Sequence, residues 1–146
     1  MPTYTILTPV GQLSSAQKDA IAKQVIDTHS EVTGAQTFFA QVIFQDVSVG
    51  SWYMGGVRLE QKQIYMFGNI RGGRSKEMIN RLLLNLRDVL IEISGVRRDE
   101  VWVYINELPP SLMLEYGHVL PEPGQEPAWL EGMTSEERHR LESLGK

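Results

Sequence analysis

The sequence predicts an α/β (α+β) fold in which two tandem β-α-β units form a four-stranded sheet with both helices on one face. Three observations predict it. The chain repeats itself at a spacing of 61 positions, each repeat flanks one long amphipathic stretch with short β-branched and aromatic runs, and Ser and Gly stand where that stretch begins and ends. Sliding by 61 pairs Tyr4 with Tyr65, Ser14 with Ser75, Gly34 with Gly95 and Val42 with Val103 without a gap. A repeat of this kind constrains every other assignment.

The first unit covers residues 1–47. TYTIL reads as a strand, and Pro2 suits its first position because proline lacks the N–H that an interior ladder needs. Ser14 or Ser15 can cap a helix over residues 16–33, whose stripe is Ile21, Val25, Thr28 and Val32, with Lys18, Gln24, Asp27 and Glu31 for the wet side. Gly34 ends it, and FFAQVIFQDV is the second strand. Residues 48–62 are a Gly-rich linker with a short hairpin around Gly55 and Gly56. The second unit, residues 63–108, repeats the order. QIYMFGNI is strand, Ser75 caps a helix containing Met78, Leu82, Leu86, Leu90 and Ile93, and VWVYINEL is strand. In the segment 109–146, PPSLMLEYG reads as a short helix begun by proline, LPEPGQEPAW as extended, and SEERHRLESL as a polar helix capped by Thr134 or Ser135.

A strand, a crossover helix and a second strand in so short a span make parallel strand pairs with right-handed crossovers. Both helices then cover one sheet face. The other face carries apolar candidates Ile43, Phe44, Trp102 and Tyr104, and oligomerisation is the simplest way to cover it.

With 146 residues the chain is one domain, long enough to bury roughly 70% of its unfolded surface without staples. Eighteen acidic against fourteen basic residues give a net charge of −4, which disfavours a nucleic-acid partner and points to small molecules or proteins. No cysteine is present, so disulfides, thiol catalysis and thiolate metal sites are excluded. Neither a signal-peptide pattern nor an apolar run long enough for a membrane span is seen, so the expected setting is cytoplasmic, with no membrane partner.

Six residues could carry chemistry. If Met1 is removed, Pro2 becomes a secondary-amine terminus whose ionisation starts near that of an α-amino group, ~7.7–8.0. Arg71 and Arg74 bracket the Gly-Gly of IRGGRS at the carboxyl end of a predicted parallel strand, where open α/β sheets place ligands. Two guanidiniums so placed can hold a carboxylate or phosphate, or serve as solvated or ion-paired loop residues. His29 stands at the edge of the first helix's apolar stripe, where a histidine is ordinarily a satisfied, partly buried group. Glu115, near Leu112, Met113 and Leu114, could have a displaced ionisation and act as a base, or lie in solvent. Tyr104 ends VWVY, a position that more often packs than reacts. Neither a nucleotide-loop motif nor metal-ligand spacing occurs, so no metal or cofactor is expected.

Together, Pro2, the tandem units, THSEVTG with His29, IRGGRS with Arg71 and Arg74, WVYINELP with Tyr104 and LEYGHVLPEPG with Glu115 resemble the tautomerase superfamily over nearly the whole chain, and within it the cis-3-chloroacrylic acid dehalogenase subgroup. The resemblance implies a homotrimer without cofactor, acting on a small unsaturated carboxylate. It implies that Pro2 is the amine acid, that Arg71, Arg74 and His29 hold the carboxylate, and that Glu115 with Tyr104 activates water. The implied activity is hydration of a 3-haloacrylate to malonate semialdehyde. Enol-keto tautomerisation of phenylpyruvate or 2-hydroxymuconate type, or a non-catalytic trimeric carboxylate-binding module, are the alternatives.

Overall fold

A computed structural model describes residues 2–144. The chain forms β1 (Thr3–Pro9), α1 (Ser15–Thr33), β2 (Gln41–Val47), the hairpin β3 (Tyr53–Met54) and β4 (Val57–Arg58), β5 (Ile64–Arg71), α2 (Lys76–Ser94) and β6 (Val101–Leu108). Beyond these come a 3₁₀ turn (Pro110–Leu112), the hairpin β7 (Leu114–Glu115) and β8 (His118–Val119), α3 (Glu126–Glu131) and α4 (Ser135–Glu142). Strand order is β2-β1-β5-β6. Within each unit the strands are parallel, and the two units meet through the antiparallel pair β1–β5.

Local chemistry accounts for the helix limits. Ser14 accepts from the Gln17 N–H in a reciprocal capping box, and Ser75 accepts from the Met78 N–H. Gly34 and Gly95 close the two helices in the left-handed region. The spacing of 61 holds from these caps onward: Ile21, Val25 and His29 occupy the places of Leu82, Leu86 and Leu90, and all six are buried in one core with Tyr4, Ile6, Ile64 and Met66.

On the first strand the ungapped slide fails. Tyr4 faces the helices, whereas Tyr65 lies on the opposite face against Phe67 and Tyr104. Strand side chains alternate with period two, so first strands that stand one residue out of step with the spacing of 61 present opposite faces; one residue's difference in the loops restores the phase by Ser75. The open face carries Ile43, Trp102 and Tyr104 as expected, with Tyr65 and Phe67 added. Phe44 is a correction: it packs against the helix-side core, and Lys18 Nζ lies 5.8 Å from its ring centre while bonding to Asp46 at 3.1 Å.

The segment after β6 also departs from expectation. Glu115 follows the proline-begun 3₁₀ turn that stands where the short helix was expected, and it lies on β7, where Tyr116 (φ 54°) and Gly117 (φ 83°) form a tight two-residue turn with both φ positive. The stretch read as extended contains α3, begun with Pro127 in its first turn. This segment folds over the arginine loop through a second apolar cluster of Phe39, Met113 and Leu120, packed with Phe38, Leu108, Trp129 and Leu130. Among the described residues no helix is long and apolar enough to cross a membrane.

Candidate active site

The antiparallel β1–β5 pair decides where the site lies. Thr3 stands opposite Asn69, so the start of β1 arrives beside the carboxyl end of β5, two residues short of Arg71. Pro2 is buried there, its carbonyl accepting from the Gln41 N–H at 3.1 Å. Removal of Met1, on which a reactive Pro2 nitrogen depends, concerns a residue outside those described.

Arg71 is 8% exposed. Its Nη1 donates to the Pro121 carbonyl at 3.0 Å and its Nη2 pairs with Glu126. Burial would raise the Glu126 ionisation, but bonds from Arg71 and from backbone amides outweigh it and hold the carboxyl below its usual range. Arg74 donates through Nη1 to the Arg71 carbonyl. Burial first, and then the neighbouring Arg71 charge, lower the Arg74 ionisation. The glycines between them have distinct reasons. Gly72 N–H bonds to Leu108 O at 2.8 Å, and Gly73 (φ +102°) lies so near Pro123 that a Cβ would sit 3.0 Å from its ring.

His29 is 1% exposed, well inside the stripe rather than at its edge. Its Nδ1 lies 2.7 Å from the Tyr4 hydroxyl, and its Nε2 has no partner among the described residues. Burial, followed by the charge of Arg74, pushes its ionisation down to about 3, so the ring is neutral at physiological pH. Burial pushes the Tyr4 hydroxyl up, keeping it protonated.

Glu115 lines a cavity of about 260 Å³ with Thr3, Phe39, Gln41, Leu114 and Tyr116. Burial raises its ionisation, opposed by the Arg71 charge. The arginines line a neighbouring cavity of about 270 Å³ with Gln36, Phe39, Glu126 and Pro127. Phe39 is common to both.

Five of the six expected residues thus gather at one end of the sheet: Pro2, His29, Arg71, Arg74 and Glu115. Tyr104 does not join them. It is 52% exposed on the open face, its ring 5.2 Å from Tyr65 and 6.4 Å from Trp102. Three residues escaped the sequence reading: Tyr4, whose role requires knowing which face of β1 it takes; Glu126, which folding of the distant segment delivers; and Phe39, hidden in a 3₁₀ turn.

An N-terminal strand beginning at an arginine loop, within a duplicated β-α-β fold, is an arrangement that comparisons with known proteins place more narrowly. Residues 1–133 match the Tautomerase_3 family, described as "Putative oxalocrotonate tautomerase enzyme", and the chain belongs to that family. It is similar to the crystal structure of N1, a member of the cis-3-chloroacrylic acid dehalogenase (cis-CaaD) family, at 27% identity and a TM-score of 0.92 over 97% of this chain and 99% of that one. It also has the fold of a fused 4-OT symmetric trimer, at 19% identity and a TM-score of 0.74 over 81% of this chain and 94% of that one. No curated protein sequence matches it.

Proposed function

We propose that the protein is a cofactor-independent hydratase and hydrolytic dehalogenase of 3-haloacrylate-like unsaturated carboxylates. The observation that carries this reading is the start of β1 beside the arginine loop, with Thr3 lining the cavity that holds Glu115. A cation pair, a half-buried carboxylate with raised ionisation and a chain-terminal amine are the parts needed to add water across a carbon–carbon double bond.

Arg71 and Arg74 grip the substrate carboxylate, and a neutral His29 adds its Nε2–H as a further donor. As water attacks C3, negative charge grows on the carboxylate oxygens, where these donors stabilise it more in the transition state than in the ground state. Glu115 takes the proton from water, and the Pro2 nitrogen delivers a proton to C2. The product carries hydroxyl and halogen on C3, and it collapses to malonate semialdehyde and hydrogen halide.

Tyr104, on the open sheet face, can assist Glu115 only from a neighbouring copy. That requirement and the exposed aromatic face support a homotrimer, as does the trimeric fused 4-OT whose fold this chain shares.

A second reading is favoured by one observation. Burial of Pro2 and the nearby arginines act to keep an amine neutral, which suits a base shuttling a proton on an enol, as in a tautomerase of phenylpyruvate or 2-hydroxymuconate type. Halide and malonate semialdehyde released from cis- and trans-3-chloroacrylate, measured beside phenylpyruvate ketonisation for wild type and Pro2→Ala, test both. Halide release that falls about tenfold or more in Pro2→Ala supports hydration, since a full general acid contributes ~10²–10⁴ and alanine retains a primary amine. Ketonisation alone selects the tautomerase. Neither activity, with carboxylate binding intact, leaves a binding module.

A further inference from the structure

The arginine cavity holds a third charge that the proposed chemistry leaves unused. Glu126 pairs with Arg71 and lines the same cavity as both arginines. Resting on the carboxylate-binding reading of this cavity, we infer that Glu126 is a specificity-determining residue that restricts the ligand to a monocarboxylate and rejects a dicarboxylate of the same length.

Two uncompensated guanidiniums would suit two carboxylates. Here they are not equivalent. Arg71 is almost enclosed, with one nitrogen on the Pro121 carbonyl and the other on the Glu126 carboxylate, so its charge is answered within the chain. Arg74 spends Nη1 on a neutral backbone carbonyl, and its positive charge is left to meet a ligand. Glu107 also acts on Arg74, but it stands exposed on β6 and does not line the cavity. The remaining lining residues, Gly34, Ala35, Gln36, Phe39 and Pro127, carry no charge. The cavity therefore presents one net positive charge.

A single ligand carboxylate finds Arg74 and the part of Arg71 that lines the cavity. A second carboxylate on the same ligand meets Glu126 and has no cation of its own. Discrimination then comes from a built-in repulsive group rather than from an added attraction. The pair is held in place from behind: Gly73 leaves room for the Pro123 ring, which a Cβ there would meet at 3.0 Å, and the 121–126 segment seats on the arginine loop through Pro121 and Glu126.

Crotonate and fumarate test this directly, because they share a trans double bond and differ by a methyl against a carboxylate. Calorimetric binding to the full chain should favour crotonate by about tenfold or more, the scale set by placing like charges together. Glu126→Gln should shift the preference toward fumarate by about tenfold, while Glu126→Asp, which keeps the charge, should retain the wild-type order. Thermal melts of the variants report folding, and if Glu126→Gln does not fold the wild-type preference decides alone. Fumarate bound as tightly as crotonate by wild type, or a preference unmoved by Glu126→Gln, overturns the assignment of Glu126 alone. Binding of neither ligand overturns the carboxylate-site reading and this inference with it.

Discussion

The Tyr4 hydroxyl lies 2.7 Å from His29 Nδ1, joining the first strand to the first helix inside the core. The hydroxyl has one proton, and no other acceptor for it is present among the described residues. Donating it to Nδ1 places the ring proton on Nε2, the atom left without a partner there. Tyr4→Phe strands Nδ1 in the core, which costs ~1–3 kcal/mol. Chemical denaturation should show that loss, and the tautomer change should raise KM for a carboxylate substrate more than it lowers kcat.

The same histidine makes the fold acid-sensitive. In the unfolded chain it takes a proton near 6.5, while in the folded chain burial first, and then Arg74, lower that to about 3. Between these values the unfolded state binds more protons, so falling pH draws the protein toward unfolding by up to about 1.4 kcal/mol per pH unit from this group. Above pH 7 the contribution is constant. Urea titrations from pH 7 to pH 4 should show the slope, and His29→Gln should flatten it.

Gly68 stands opposite Tyr4 in the β1–β5 register, and a Cβ there would lie 2.5 Å from Tyr4 Cε1 and 3.2 Å from Ile105 Cδ1. The tyrosine ring fills the space that the glycine leaves. Gly68→Ala should therefore destabilise the chain by ~1–3 kcal/mol through overpacking and dislodge Tyr4 from His29. A melt records the first effect. A changed His29 ring-nitrogen shift by NMR records the second, and an unshifted resonance would count against the coupling.

Burial raises the Glu115 ionisation, so the acid limb of the rate profile should lie above the ordinary glutamate value of ~4.3. Activity should rise with pH through that limb, because water activation needs the ionised carboxylate. Stability runs the other way. The folded chain holds this proton more firmly than the unfolded one, so ionising Glu115 lowers stability as pH rises through its folded value. Glu115→Gln should remove the limb together with most of the rate, measured as kcat/KM against pH.

The features readable from sequence were those fixed locally. Ser14, Ser75, Gly34 and Gly95 announce helix ends because their side chains or backbone freedom satisfy the ends themselves, and the Leu82, Leu86, Leu90 stripe needs only helical period. Strand phase is less secure, since one residue of loop length reverses every face; Tyr4 and Phe44 both turned on it. Glu115 was recognised as a candidate in or just beyond a short helix, but the hairpin that carries it was not foreseen, because a left-handed Tyr116 carries no compositional signal. Glu126 reaches Arg71 across 55 positions, through packing that no local pattern records. Tyr104 was legible as a residue, yet its place is set by what covers the open face.

The nitrogen of Pro2 carries the account, and its ionisation is the quantity to measure. A ¹⁵N NMR titration on protein whose intact mass shows the loss of Met1 reads it directly. Hydration predicts an amine still protonated at neutral pH, with a titration midpoint above about 7 despite burial and two arginines. A midpoint well below that value, or an intact mass that retains Met1, would contradict the general-acid role.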